Sequence, residues 1–126
     1  MREIISTTNA PAAVGAYSQA VKANGFVFTA GQLGIDPATG QFVPGGIEAQ
    51  TEQALQNVVA ILEAAGTSIG NAVKATVFLA DMGDFKAMNG VYLQFVKDSP
   101  PARSAVAVKD LPLGGLVEIE MVAAVP

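Results

Sequence analysis

Apolar and polar positions follow two periods along this chain, and each change of period marks a change of element. Ile47, Ala54, Leu55, Val58, Ile61, Leu62 and Ala65 recur at helical spacing with Glu48, Glu52, Gln56 and Glu63 between them, which predicts a helix over Ile47 to Ala65. Gly66 is placed to end it, because glycine enters the left-handed conformation without a Cβ clash. A second stripe of Phe85, Met88, Val91, Tyr92 and Phe95 predicts a helix from Asp84 to Lys97, closed off by Pro100-Pro101. Gly90 within it costs on the order of 1 kcal/mol relative to alanine.

Elsewhere the period is two, or turn residues break it. Glu3 to Ser6 reads as a short strand, followed by a turn-rich stretch from Thr7 to Gly15. Tyr17 to Ala23 and Phe26 to Ala30 flank Asn24-Gly25, a pair suited to the positive φ angles of a type I′ hairpin turn. Gly31 to Gly46 is rich in glycine and proline and reads as a loop with a short extended piece. Val73 to Ala80 is a strand with Val73, Ala75, Val77 and Leu79 on one face, and two more strands follow at Arg103 to Val108 and Leu116 to Val125.

The order predicts one α+β domain over residues 1–126, a mixed sheet of about six strands with two helices on one face. In the last strand Val117, Ile119, Met121, Ala123 and Val125 form an apolar row, yet Leu116, Val122 and Ala124 are apolar on the opposite row. The face away from the helices therefore needs a cover, and neighbouring subunits would supply it.

Composition sharpens this picture. Half of the residues (51%) are hydrophobic and only 14% are charged, against about 25% charged in an average soluble protein. No apolar run is long enough to span a bilayer, and the first residues lack the apolar core of a signal peptide, so no membrane partner and a cytoplasmic setting are expected. With a net charge of −4 and seven scattered cationic residues, the chain offers no sequence-local basic cluster for nucleic acid.

The chain has no histidine and no cysteine, which removes a thiol nucleophile, a Ser-His-Asp triad, an imidazole base and the usual zinc ligands. Its glycines match neither a phosphate-binding loop nor a dinucleotide fingerprint. Two residues then stand out. Arg103 enters a strand of small apolar residues, where a guanidinium needs an acceptor or water; a structural ion pair and a ligand grip are both open. Glu118 alternates in phase with Glu120 on the last strand, open to being a solvated strip or a carboxylate with a raised pKa suited to proton transfer.

Pro101-Ala102-Arg103-Ser104, followed by Glu118-Ile119-Glu120, resembles the signature of the RidA (YjgF-like) family. Gly15-Ala16-Tyr17-Ser18-Gln19 is similar to that family's Gly-Pro-Tyr-Ser-Gln, Ala30-Gly31-Gln32 to its Ser-Gly-Gln, and Asp36-Pro37-Ala38-Thr39-Gly40 to the turn that follows. The resemblance spans nearly the whole chain. It implies a chorismate-mutase-like subunit in a homotrimer, with clefts between subunits that take small 2-imino or 2-oxo acids. The implied activity is cofactor-free hydrolysis of imines and enamines to 2-oxo acids and ammonia.

By the same resemblance, Arg103 binds the carboxylate, Glu118 activates water, Tyr17 and Asn89 shape the pocket, and backbone groups of Gly31 and Ala105 touch the ligand. The chain differs from the family pattern at Ala16, where proline is usual, at Ala30, where serine is common, and at Ala105, where cysteine is common. Two other readings stay open: an endoribonuclease or translation inhibitor, and a noncatalytic 2-oxo acid sensor that needs Arg103 but not Glu118.

Overall fold

The computed structural model describes residues 2–126, and Met1 lies outside the described residues. The chain runs β1 (Arg2–Ile5), β2 (Ala20–Ala23), β3 (Phe26–Thr29), β4 (Gln32–Leu33), β5 (Ile35–Asp36), β6 (Gln41–Phe42), α1 (Gly46–Ala64), β7 (Ala72–Leu79), α2 (Phe85–Val96), β8 (Ala102–Ala107) and β9 (Val117–Ala124). Seven strands form one mixed sheet in the order β1-β2-β3-β9-β7-β8, with β4 pairing the far half of β9. Among the described residues only β7 and β8 run parallel, joined by the crossover through α2. The α+β class is as expected.

The hairpin turn forms as the sequence predicts, with Asn24 at φ 56° and Gly25 at φ 84°. Gly66, at φ 88°, ends α1, and the Thr67 amide donates to the Leu62 carbonyl at 3.0 Å, a hydrogen bond characteristic of a left-handed helix stop. Ala54, Leu55, Val58, Ile61 and Leu62 of α1 are buried against the sheet row Val117, Ile119, Met121 and Ala123. Burying this row removes several large aliphatic side chains from water, each contributing about 1.5–3 kcal/mol.

Two expectations need correction. Val73 does not join the buried face of β7: a bulge between Ala72 and Lys74 shifts the register, so Ala72 is buried and Val73 is exposed. The stretch from Gly31 to Gly46 is more ordered than a loop, holding β4 in the main sheet and the small β5–β6 hairpin. Asn57, buried on α1, explains much of that order by donating to the carbonyls of Leu33 and Ile35 at 3.2 and 2.9 Å. Gly34 allows the close approach, since a Cβ there would lie 2.6 Å from the Gln50 Cα.

The two sheet faces differ. One carries the helices. On the other, Ile4, Val21, Phe28 and Val122 line up across four strands through paired registers, and Ile4 and Phe28 are 62% and 47% exposed. Val106, 46% exposed on β8, forms a second apolar patch opposite Phe78 of β7, set off from the first row by Lys74, Glu118 and Glu120. An exposed apolar row of this kind on one chain marks an interaction surface. Among the described residues, no helix is long and apolar enough to cross a membrane.

Candidate active site

Arg103 is the second residue of β8 and pairs with Ala75 of β7, which in turn pairs with Met121 of β9. Ala75 and Met121 are fully buried under the helices, so the Arg103 side chain leaves the sheet on the helix side. There α2 meets it. The Arg103 guanidinium donates through Nη1 to Asn89 Oδ1 at 2.7 Å, and its central carbon lies 4.8 Å from the Tyr92 ring centroid and 5.3 Å from that of Phe85.

Phe85, Asn89 and Tyr92 are spaced by four and three residues, which puts all three on one face of α2. The structural ion pair left open for Arg103 does not form: among the described residues the one ion pair is Lys22 with Glu3, at 4.0 Å. Asn89, Tyr92, Leu93, Val96, Pro100, Pro101 and Arg103 line a cavity of about 280 Å³. Burial pushes the Tyr92 phenol above the ordinary tyrosine range, with the Arg103 charge opposing it, and the buried hydroxyl has no hydrogen-bond partner among the described residues.

Glu118 sits on the opposite face. It pairs with Phe78 on β7 and with Leu33 on β4, so its cross-strand neighbours are apolar. Phe78 lies three residues from Ala75 on one strand, and an odd spacing reverses the face. Burial raises the Glu118 carboxyl above the ordinary carboxylate range, and the negative charge of Glu120 raises it further. Gly31 packs directly on this side chain: a Cβ at position 31 would stand 2.8 Å from the Glu118 carboxylate carbon.

Of the six residues singled out from sequence, the structure brings Arg103 to Asn89 and Gly31 to Glu118. Ala105, half-buried, follows Arg103 on the same side of β8, whose outer edge pairs with no other strand. Arg103 and Glu118 do not meet within one chain. Tyr17 is 53% exposed on the loop before β2. That loop is fixed at its root by Gln19, whose side chain accepts from the Thr7 amide and donates to the carbonyls of Thr7, Ala10 and Pro11.

Phe85 and Tyr92 escaped the sequence reading, which counted them only as a core stripe. Their spacing around Asn89 was the available signal. A larger groove of about 530 Å³, lined by Gln56, Val59, Glu63 and Phe95 among others, holds neither Arg103 nor Glu118. Size alone would therefore point away from Arg103 and Glu118. Glu63 is the groove's only ionisable group, and it offers no arrangement for the chemistry considered above.

A family profile described as endoribonuclease L-PSP matches residues 7–125. A goat (Capra hircus) protein named 2-iminobutanoate/2-iminopropanoate deaminase is 55% identical over 123 residues, covering 98% of this chain and 90% of the goat protein. The crystal structure of RidA from an Antarctic Psychrobacter superposes with a TM-score of 0.94 at 47% identity, covering 98% of this chain and 99% of that one. TdcF of E. coli, solved with bound serine, superposes with a TM-score of 0.94 at 42% identity, covering 98% and 99% of the two chains.

Proposed function

The chain belongs to the RidA, or endoribonuclease L-PSP, family, and from that premise we propose that it is a 2-iminobutanoate/2-iminopropanoate deaminase. The single observation that carries this reading is the half-buried Arg103, held by Asn89 and two aromatic rings and left without an acidic partner among the described residues. A guanidinium so placed is prepared for a planar carboxylate from outside the chain. Goat, cattle, mouse, rat and human relatives carrying the deaminase name support the substrate class.

The imine carbon of a protonated 2-imino acid is already electrophilic, so hydrolysis needs positioning and one proton acceptor. Arg103 binds the carboxylate and fixes the plane of the substrate. Water adds to the imine carbon while Glu118 takes one of its protons, giving the neutral carbinolamine. Glu118 then returns that proton to the amino nitrogen, and as the C–N bond breaks to release ammonia the hydroxyl proton passes to the Glu118 carboxylate, leaving the 2-oxo acid. Burial and Glu120 make Glu118 a stronger base than an ordinary carboxylate, which suits it to that transfer.

Because Arg103 and Glu118 lie on opposite sheet faces, one site takes Arg103, Asn89 and the Ala105 backbone from one protomer. The partner subunit's Glu118, Gly31 and Tyr17 complete it. The open apolar face of the sheet supports a homotrimer with three such clefts. A cytoplasmic setting fits the cysteine-free sequence.

The test uses an oxidase to form 2-iminobutanoate in situ, with semicarbazide to trap what escapes hydrolysis. The protein should suppress the trapped imine and accelerate release of 2-oxobutanoate and ammonia. Unchanged trapping at every protein concentration would end this reading.

A further inference from the structure

We infer that Tyr92, together with Phe85, is a positioning residue that presents the Arg103 guanidinium to the substrate carboxylate, through the face of its ring and not through its hydroxyl. The inference rests on the functional reading of Arg103 and deepens it. An arginine side chain has many rotamers, and fixing them at the moment of binding costs affinity. Here the guanidinium lies over both rings, at 4.8 and 5.3 Å from their centroids, and one of its nitrogens is committed to Asn89. Ring faces attract a cation without consuming its N–H donors, so the remaining donors stay available for a bidentate grip.

Tyr92 is well placed for this because the helix stripe that carries it is anchored. Tyr92 itself is 4% exposed, and Met88 and Val96 on the same helix are buried. Its hydroxyl finds no partner among the described residues, which is why the ring is assigned the role. An aliphatic side chain of similar bulk would fill the space and leave the cation without a quadrupole to rest on.

The experiment compares Tyr92→Phe, Tyr92→Leu and Phe85→Leu in the intact oligomer, each also in an Arg103→Ala background, with thermal melts to confirm folding. Tyr92→Phe should leave KM for 2-iminobutanoate and Kd for 2-oxobutanoate within about twofold, as expected when no binding interaction is removed. Tyr92→Leu should raise both about tenfold while kcat changes little, the loss expected for a desolvated cation–π contact. With Arg103→Ala already present, Tyr92→Leu should add nothing.

A second readout needs no substrate: the Arg103 side-chain NMR signals should carry a ring-current shift in the wild type and Tyr92→Phe that changes in Tyr92→Leu. If the wild type hydrolyses no imine, this arm and 2-oxo acid binding still decide the positioning role. A Tyr92→Phe protein as impaired as Tyr92→Leu would overturn the inference. So would an undiminished Tyr92→Leu effect in the Arg103→Ala background. If Tyr92→Leu does not fold, Phe85→Leu takes its place, and unchanged Arg103 signals there overturn the shared clamp.

Discussion

The two halves of the proposed site are built on opposite principles. Around Arg103 the chain supplies an amide oxygen and two ring faces, so the cation is stabilised while its remaining donors stay free. Around Glu118 it supplies Leu33, Phe78 and the negative charge of Glu120, so the anion is made less comfortable and more basic. A binding group gains from being held in its charged state; a general base gains from being pushed toward its protonated one. Placing the two on different faces lets each have its own surroundings, and in the proposed trimer it is assembly that would bring them together.

The sharpest way to break this comparison is to remove one half per chain. Glu118→Gln should lower turnover about 10² to 10⁴-fold while 2-oxobutanoate still binds, because the shape and the carboxylate grip survive. Arg103→Ala should be as inactive at accessible substrate concentrations. Equal mixtures of the two variants, unfolded and reassembled together, should then recover about a quarter of the wild-type activity, since random assembly restores that share of two-chain sites. No recovery would mean that both groups serve from the same chain.

Arg103→Lys is the next largest effect. Lysine keeps the charge but not the fork, so carboxylate binding should weaken by roughly 1.5–3 kcal/mol, measured as Kd for 2-oxobutanoate by calorimetry. The corresponding test of the other half is Gly31→Ala. Its methyl would press against the Glu118 carboxylate, the flexible end of that side chain, and so should displace the base without unfolding the sheet. We expect kcat to fall about tenfold or more, in keeping with the loss of a misplaced general base, with 2-oxo acid affinity nearly unchanged.

The smallest effect is on stability. A carboxyl whose pKa is raised on folding favours the folded state at low pH, and that contribution is lost as pH rises through the folded value. Glu118→Gln should therefore raise Tm at neutral pH, and the gain should vanish once the pH lies below the value of an unfolded carboxyl. A gain that persists at low pH would assign the effect to packing instead.

Much of this was legible in the residues. The period-3.6 stripes placed both helices to within about a residue or two at each end, the usual uncertainty of such boundaries. Asn24-Gly25 located the hairpin, and the doubly apolar rows of the last strand anticipated an unpaired face. The absence of histidine and cysteine narrowed the chemistry, and the resemblance of the segments around Arg103 and Glu118 to a family signature then picked out those two. Val73 was misread because a bulge inverts the alternation without any mark in its local pattern. β4, β5 and β6 were anticipated only as one short extended piece, because two-residue strands are too short to show a period, and Asn57, more than twenty residues away, holds β4 and β5 in place.

By itself, then, the sequence determined the elements and their apolar faces, which follow from short-range periodicity and residue type, while the two residues on which the proposed chemistry depends were singled out by their resemblance to a family signature. Only the tertiary structure decided which face each residue occupies relative to the other. Arg103 and Glu118 belong to strands separated by β7, and their relation depends on two pairing registers, in which a slip of one residue would reverse the face. The rings over Arg103 come from a helix that crosses between strands, so the pairing of cation and aromatic is set by packing and not by any local spacing.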